Sequence, residues 1–159
     1  MQYTVPVRTL CEFTAKARVL DLRFTPPAPP LEGIRGPAAV TARRGAGYER
    51  EVTLEGVYER LRVRGRADGY DPGRNRLEEI KTHRGDLKRQ PANHRHLHWA
   101  QARIYAALLC EARGIESLSV ALVYFDIAAQ KETLIEAVHT RAELRAFFEQ
   151  QCALFLAWA

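Results

Sequence analysis

The sequence predicts an α/β (α+β) fold with a mixed central β-sheet and flanking helices. Three observations support this class: strand-like segments between residues 48 and 82, a helical period from His94 to Ala112, and the continuous apolar run "SLSVALVYFDI". Such a run is typical of a strand covered on both faces. With 159 residues and 47% hydrophobic content the chain can bury one core, so we expect a single domain over residues 1–159.

The N-terminal part predicts a connector and a short helix. The prolines of "TPPAPP", residues 25–30, favour an extended connector after an N-terminal strand or arm. Proline suits a first helical turn and glycine ends a helix, so we expect a helix from Pro37 to Gly45 and Gly47. This helix precedes the strands.

Three strands in an antiparallel meander are predicted next. They cover Tyr48–Tyr58, Leu61–Tyr70 and Arg76–Thr82, with Gly56 and "DPGRN" as the breaks between them. The spacing of apolar residues then predicts a long helix that ends at Gly114. The apolar run follows as a central strand.

The C-terminal part predicts a further strand, "KETLIEAVH", and a closing helix from Thr140. Leu144, Phe147 and Phe148 form an apolar stripe on that helix, which we expect to end exposed. Exposed apolar stripes mark interaction surfaces, so we expect a fragment of a longer protein, or a surface that pairs with another.

Composition limits the classes of function. The chain carries 24 Lys+Arg against 19 Asp+Glu, a net charge of +5, which favours polyanionic partners without requiring them. The cysteines, Cys11, Cys110 and Cys152, lack CxxC spacing, so neither a disulfide framework nor an all-cysteine metal site is indicated. No stretch approaches the roughly 20 apolar residues that a membrane span needs. We expect a cytoplasmic protein with no membrane partner.

The hairpin formed by the second and third meander strands carries the candidate chemistry. Side chains alternate along a strand, so one face of the second strand is expected to hold a basic row that ends in a carboxylate: Arg62, Arg64, Arg66 and Asp68. On the next strand Glu79 and Lys81 share a face, and Ile80 points to the opposite, apolar side. One hairpin can therefore gather Asp68, Glu79 and Lys81.

Two interpretations of these three side chains stay open. Two close carboxylates repel each other, and a divalent cation such as Mg²⁺ between them relieves the repulsion. A lysine beside that cation could orient or deprotonate a water molecule, which is the outline of a hydrolytic site. The alternative is a set of cross-strand ion pairs on a solvated face, worth roughly 0.2–1 kcal/mol.

Gln101 and Tyr105 lie four residues apart on the long helix, so they share one face. That face also carries the apolar stripe, which turns both side chains toward the sheet. They could hydrogen-bond a substrate backbone or stack on a base. Taken alone, such a pair is more often the polar margin of a core stripe.

In this order, Asp68, Glu79-x-Lys81 and Gln101-x-x-x-Tyr105 resemble the PD-(D/E)xK nuclease superfamily in its RecB-like branch. The stretches "VRGRADGYDP", "LEEIKTHRGDL" and "HWAQARIYAALLC" are similar to the nuclease-type domain at the N-terminus of some bacterial DinG-type DNA helicases. The resemblance covers about residues 30–130. It implies a restriction-endonuclease-like core of helix, three strands, helix and strand, and a helicase domain in the same polypeptide.

The resemblance also implies roles for the site residues. Asp68, Glu79 and the backbone carbonyl of Ile80 would bind Mg²⁺ or Mn²⁺, and Lys81 would be the catalytic lysine. Gln101 and Tyr105 would contact DNA near the metal. No iron–sulfur cluster is expected, because the cysteine pattern of the relatives that carry one is missing.

The chain departs from the family on the first core helix, where a further ligand, often histidine, is usual. Pro37 occupies the expected place, and the earliest histidine is His83. Glu32 is the nearest upstream carboxylate and could substitute as a metal ligand. His94 and His98 could instead hold zinc on a helix, although no third ligand is spaced to complete that site.

Basic residues that flank the candidate site are expected to bind DNA phosphates, although such charges are usually a solvated face: Arg64, Arg66, His83 and Arg84. The leading hypothesis is a metal-dependent deoxyribonuclease that acts on single-stranded or branched DNA in repair or recombination. The second is a non-catalytic DNA-binding or docking module that serves a helicase. The third is a structural domain with surface ion pairs.

Overall fold

The computed structural model describes residues 2–18, 30–89 and 92–158, and at 16–18, 30–35, 89 and 93 it describes the backbone alone. The helices are α1 (Val7–Arg18), α2 (Pro30–Ala42), α3 (Ala92–Arg113) and α4 (Arg141–Trp158), with a 3-10 turn at Leu87–Arg89. The strands are β1 (Tyr3–Pro6), β2 (Glu49–Tyr58), β3 (Leu61–Asp71), β4 (Arg76–His83), β5 (Ser117–Asp126) and β6 (Lys131–Thr140). None of the described helices has the length and apolar character to cross a membrane.

The six described strands form one mixed sheet. β2, β3 and β4 are an antiparallel meander, β4 and β5 are parallel, β5 and β6 are antiparallel, and β1 lies parallel to β3. The predicted fold class, a mixed sheet with flanking helices, is confirmed, and the architecture is consistent with a restriction-endonuclease-like core. The predicted strands of the meander, the long helix and the central strand are confirmed with bounds that differ by one or two residues.

The sheet buries a core on each face. The larger core lies between the sheet and the helices α1, α3 and α4, and includes Val63, Leu77, Leu108 and Tyr124. On the other face, Val40 of α2 packs with three residues of β4 and β5: Ile80, Val123 and Phe125. Adjacent residues of β4 therefore face two different environments.

Two of the predicted boundaries are wrong. The helix before the meander begins at Pro30 rather than Pro37, so Pro37 lies inside α2; residues 25–29 of the predicted connector are outside the described residues. Gly56 does not break a strand but lies within β2. A Cβ atom there would lie 2.5 Å from the Leu108 Cδ2 atom, so glycine allows α3 to approach the sheet closely.

The expectation of an exposed stripe on the closing helix is also wrong. Leu144 and Phe148 are buried in the larger core and Phe147 packs against it. The sequence analysis missed α1, which follows β1 directly and contacts both α3 and α4. Helices of this chain therefore cover the stripe that was expected to need another surface.

Candidate active site

The site lies where one edge of β3 has no neighbouring strand. β2 pairs along almost the whole of β3, so β1 and β4 must both pair on its other edge. There β1 pairs with Leu61–Arg64 and β4 pairs with Gly69–Asp71. Residues 65–68 have no strand partner on this edge, and a gap opens between β3 and β4 beside them.

The side-chain alternation of β3 changes phase at this gap. Ala67 and Tyr70 are three residues apart, yet both lie in the larger core. The pairing of β2 with β3 skips Glu51 and Asp68, and Glu51 has a φ of 47°. Such an interruption redirects a side chain, and here it turns Asp68 to the side of β4 that carries Glu79. The prediction that Asp68 ends the arginine row is therefore wrong.

Asp68, Glu79 and Lys81 come together at the gap. The Ile80 N–H donates a hydrogen bond to Asp68 Oδ2 at 2.7 Å, and the carboxyl groups of Asp68 and Glu79 lie within hydrogen-bonding reach of each other. The Lys81 Nζ atom lies 3.7 Å from Glu79 Oε1. Glu79 Oε2 is buried and has no hydrogen-bond partner among the residues that the structure describes. Convergence of the three side chains, which the nuclease hypothesis requires, is thus present in the structure.

The electrostatics of the pair exclude the solvated-face interpretation. Glu79 is only 6% exposed. Burial raises the pKa of Glu79 well above its usual value, the negative charge of Asp68 raises this pKa further, and Lys81 acts in the opposite direction. Burial also raises the pKa of Asp68, and the hydrogen bond from Ile80 partly offsets this. Both shifts favour the protonated form, and the larger one falls on Glu79.

The oxygen atoms at the gap fit a hard divalent cation. Besides the two carboxyl groups, the Ile80 carbonyl is directed to the gap, because the N–H and C=O of one strand residue point to the same edge. On α3, Gln101 Oε1 is a buried oxygen without a hydrogen-bond partner in the described part of the chain. Mg²⁺ and Mn²⁺ bind carboxylate and carbonyl oxygens and retain several waters, so Asp68, Glu79 and Ile80 are suitable ligands.

A third side-chain ligand is not provided by the part of the chain that the structure describes. Within it, no three His, Cys, Asp or Glu side chains are close enough together to hold a metal ion. Glu32 lies in the first part of α2, whose side chains are outside the described residues. Its predicted role as a ligand remains a prediction. His94 and His98, with ring centroids 6.3 Å apart, lack a third zinc ligand in the same described set.

The helix α3 turns Gln101 and Tyr105 inward, as predicted, and both are buried. A Cβ atom at Gly65 would lie 2.9 Å from the Tyr105 hydroxyl, so glycine on β3 is needed for this close approach. Burial and the charges of Glu79 and Asp68 raise the pKa of Tyr105. Tyr105 therefore keeps its proton and can donate a hydrogen bond beside the carboxyl groups.

The residues predicted to bind DNA divide between the two faces of the sheet. Gly65 faces Tyr105, so its neighbours Arg64 and Arg66 point to the opposite, solvent-exposed face. His83 lies on the same face of β4 as Glu79 and Lys81, at the end of the strand, and Arg84 follows it. Of these four residues, His83 is the one that shares the face of Glu79 and Lys81.

Three further residues lie beside the site, and of these only His98 was considered from the sequence, as a possible zinc ligand. Tyr124 of β5 is in register with Lys81, and its hydroxyl lies 3.0 Å from His98 Nδ1. The Arg95 guanidinium lies 5.7 Å from the centre of the Tyr124 ring. Burial lowers the pKa of His98 to about 2, and Lys81 contributes to this shift, so His98 is neutral. The stretch "HRHLH", which contains Arg95 and His98, was visible in the sequence. Its position next to Tyr124 and Lys81 was not, because it depends on the parallel register of β4 and β5.

Comparison with known proteins adds a likeness of fold. No protein-family profile matches the sequence, and a search of curated proteins finds no match. The structure is similar to the crystal structure of SSO0001, with a TM-score of 0.55 and 22% sequence identity over 97% of this chain and 77% of that chain. This likeness shows a shared fold alone.

A second solved structure is a phage-related exonuclease from Haemophilus somnus 129PT. It has a TM-score of 0.47 and 14% identity over 92% of this chain and 77% of that chain. A likeness this low carries no weight for function. The chemistry of the site must therefore be judged from its own residues.

Proposed function

We propose that this chain is a metal-dependent deoxyribonuclease domain of the PD-(D/E)xK superfamily, RecB-like branch. One observation carries the proposal: the buried carboxyl group of Glu79 and the partly buried one of Asp68 contact each other beside Lys81 where β3 and β4 separate. Burial of two carboxyl groups in contact costs stability, so the arrangement is explained best by a cation that the pair binds.

The residues of the gap have distinct roles in this proposal. Asp68, Glu79 and the Ile80 carbonyl hold Mg²⁺ or Mn²⁺, and the Ile80 N–H fixes the orientation of the Asp68 carboxylate. The bound ion supplies a Lewis acid for a phosphoryl oxygen and lowers the pKa of a water molecule. Lys81 orients that water and stabilises negative charge on the phosphoryl group. Gln101 and Tyr105 donate hydrogen bonds to the DNA backbone.

The substrate and setting extend the same proposal. The inward polar groups of α3 and the net charge of +5 support a DNA strand as the ligand. Single-stranded or branched DNA is the proposed substrate, in repair or recombination. The resemblance to helicase-linked domains is the support for a helicase domain in the same polypeptide.

A second candidate is a non-catalytic DNA-binding or docking module that keeps the nuclease fold. The observation in its favour is that the described residues include no third side chain to complete the ligand set. Two side-chain ligands bind a cation more weakly than three. This module would bind DNA but would not cut it.

The test uses labelled single-stranded DNA with Mg²⁺, Mn²⁺ or EDTA. We expect metal-dependent cutting by the wild-type chain and a loss of about 100-fold or more in Lys81→Ala and Asp68→Asn, the size of effect typical for removing a catalytic group. Lys131→Ala is the control, because Lys131 is exposed on the edge strand β6.

DNA binding, measured by fluorescence anisotropy with Ca²⁺ in place of Mg²⁺, separates the candidates. Binding without cutting by any version supports the docking module. If the wild-type chain neither binds nor cuts DNA, both functions are contradicted. Equal cutting by the wild type and both site variants would show that another site is responsible.

A further inference from the structure

Basic side chains gather around the ring of Tyr124, next to the carboxyl pair. Lys81 lies opposite Tyr124 in the β4–β5 register. The rings of His83 and His98 lie 6.4 and 5.7 Å from the Tyr124 ring, and the Arg95 guanidinium lies 5.7 Å from it. We name Lys81, His83 and Arg95 the basic cluster. Two of its members, Lys81 and His83, continue the row of side chains that starts at Glu79 and runs toward the end of β4.

Several hydrogen-bonding atoms of the basic cluster are buried without a partner. Both ring nitrogens of His83 and the Nε atom of Arg95 have no hydrogen-bond partner among the described residues. A buried donor that stays unpaired costs about 1–3 kcal/mol. His98 differs, because its Nδ1 atom meets the Tyr124 hydroxyl. The cluster therefore has polar nitrogen atoms to spare, on the His83 ring and at Arg95 Nε.

The carboxylates close to the basic cluster are already engaged. Asp126, in register with His83, accepts hydrogen bonds from the backbone amides of Ala128 and Ala129 through its Oδ1 atom. Glu79 contacts Asp68. In addition, Arg95 lies in the first turn of α3, which contains no acidic residue, so the positive end of the helix dipole adds to the cluster. An anion with several acceptor oxygens fits these donors.

We propose that Lys81, His83 and Arg95 form a phosphate subsite that holds the DNA phosphate next to the scissile one. This inference rests on the proposed nuclease function. Two residues along a strand span about 6.6 Å. That step separates Lys81 from His83, and it is of the order of the distance between neighbouring phosphates in an extended DNA strand. The carboxyl pair and the subsite thus contact consecutive phosphates.

The subsite defines one end of the path that the bound strand follows across the site. Lys81 lies between the carboxyl pair and the other two members of the basic cluster, so the strand enters over His83 and Arg95 or leaves across them. The phosphate held there is either internal or a terminal monoester. Both use the same donors, and Arg95 can contact either with its planar guanidinium.

The first experiment measures binding without any cutting. Wild type, Arg95→Ala, His83→Gln and the control Arg145→Ala, an exposed arginine of α4, are titrated with a single-stranded oligonucleotide in EDTA at several salt concentrations. We expect Arg95→Ala to weaken binding about tenfold and to reduce the salt slope by about 1, as for the loss of one phosphate contact. Thermal unfolding checks that each variant is folded.

The second experiment separates binding from chemistry and identifies the phosphate. In Mn²⁺, we expect Arg95→Ala to raise KM about tenfold and to change kcat little, because the contact exists in both the ground and transition states. Oligonucleotides with a 5′-phosphate, a 3′-phosphate or neither show whether the subsite binds a terminal or an internal phosphate. If the effect of Arg95→Ala needs one terminal phosphate, the subsite binds a strand end; if it needs neither, the subsite binds an internal phosphate.

The outcomes distinguish this inference from the proposed function. Suppose that the wild type cuts DNA normally, and that Arg95→Ala and His83→Gln equal Arg145→Ala in binding, salt slope and KM. This result overturns the subsite and leaves the proposed nuclease function intact. Loss of binding in Arg95→Ala, when no version cuts DNA, supports the subsite and contradicts the nuclease. Equal salt slopes for wild type and Arg95→Ala would by themselves show that Arg95 contacts no phosphate.

Discussion

Glu78 and Glu79 are adjacent on β4 and both are buried, yet their surroundings are opposite. Glu78 accepts hydrogen bonds from Arg44 Nε at 3.0 Å and from the Tyr48 hydroxyl at 2.7 Å, and its Oε2 atom lies 2.8 Å from Arg76 Nη2. Glu79 has Asp68 and, at 3.7 Å, Lys81. Glu78 thus belongs to a completed ion network on one face of the sheet, whereas Glu79, on the other face, is only partly compensated by Lys81.

This difference separates structural burial of charge from functional burial. A buried carboxylate with all its acceptor sites occupied helps to fix one native arrangement, and it has no capacity left for a ligand. A buried carboxyl group next to a second one keeps that capacity and costs stability. The Glu78 face joins α2 to the sheet through Arg44, which also contacts Glu132 at 2.8 Å. The Glu79 face opens at the gap.

The largest effect on stability is expected from Glu78→Gln. The substitution leaves Arg44 and Arg76 without their shared carboxylate, so we expect the free energy of unfolding to fall by about 3 kcal/mol. This value is near the lower end for a buried ion pair that loses one partner, because Arg44 keeps its contact with Glu132. Urea denaturation at pH 7 measures the loss. DNA cutting per folded molecule should stay unchanged.

Glu79→Gln is the matched substitution one residue further along the strand. Burial and the charge of Asp68 favour the neutral form of Glu79; glutamine is neutral and its amide can donate a hydrogen bond to Asp68, so we expect no loss of stability. Cutting should be abolished. If Glu79→Gln unfolds the protein as readily as Glu78→Gln does, the distinction between the two faces is wrong.

A smaller effect is expected from Gly69→Ala, which disturbs the Glu78 network without removing a member. A Cβ atom at Gly69 would lie 1.8 Å from the Tyr48 hydroxyl and 2.3 Å from its Cζ atom, so the ring must move away from Glu78. We expect a loss of about 1–3 kcal/mol, typical of overpacking, in urea denaturation. Gly45→Ala is the control, because a Cβ atom there meets nothing within 4 Å. Equal stability of the two variants would contradict the prediction.

The sequence predicted the strands of the site well and the direction of one side chain poorly. The bounds of β3 and β4 could be predicted because apolar residues and the turn "DPGRN" are local signals. The redirection of Asp68 could not be predicted, because it depends on the interrupted pairing at Glu51, and glutamate has no preference for a positive φ. Regular alternation therefore placed Asp68 on the wrong face, although the motif order still indicated the three side chains that meet at the gap.

The basic cluster shows a different limit of sequence analysis. His83, Arg95 and Tyr124 meet because β4 and β5 are parallel and α3 crosses between them, over more than forty residues of chain. No local pattern specifies that register. In the same way, the apolar stripe on α4 was visible in the sequence. The N-terminal helix α1, which contacts α4, was not predicted. Local periodicity predicts elements, whereas the contacts between distant elements depend on the complete fold.

The smallest and most specific effect is a dependence of stability on pH that Glu78 does not share. The pKa of Glu79 is raised in the folded state, so the folded protein binds more protons than the unfolded chain between the unfolded pKa of about 4.3 and the folded pKa. The free energy of unfolding of the metal-free protein therefore falls as the pH rises toward the folded pKa, by at most about 1.4 kcal/mol per pH unit, and is unaffected by this group at lower pH. Denaturation of wild type and Glu79→Gln in EDTA between pH 4 and 8 measures the contribution of the coupled Asp68–Glu79 pair, which the substitution removes. Mg²⁺ should restore stability at pH 8 in the wild type alone, because a cation competes with the shared proton. Parallel curves for the two proteins, with or without Mg²⁺, would show that Glu79 is as well compensated as Glu78.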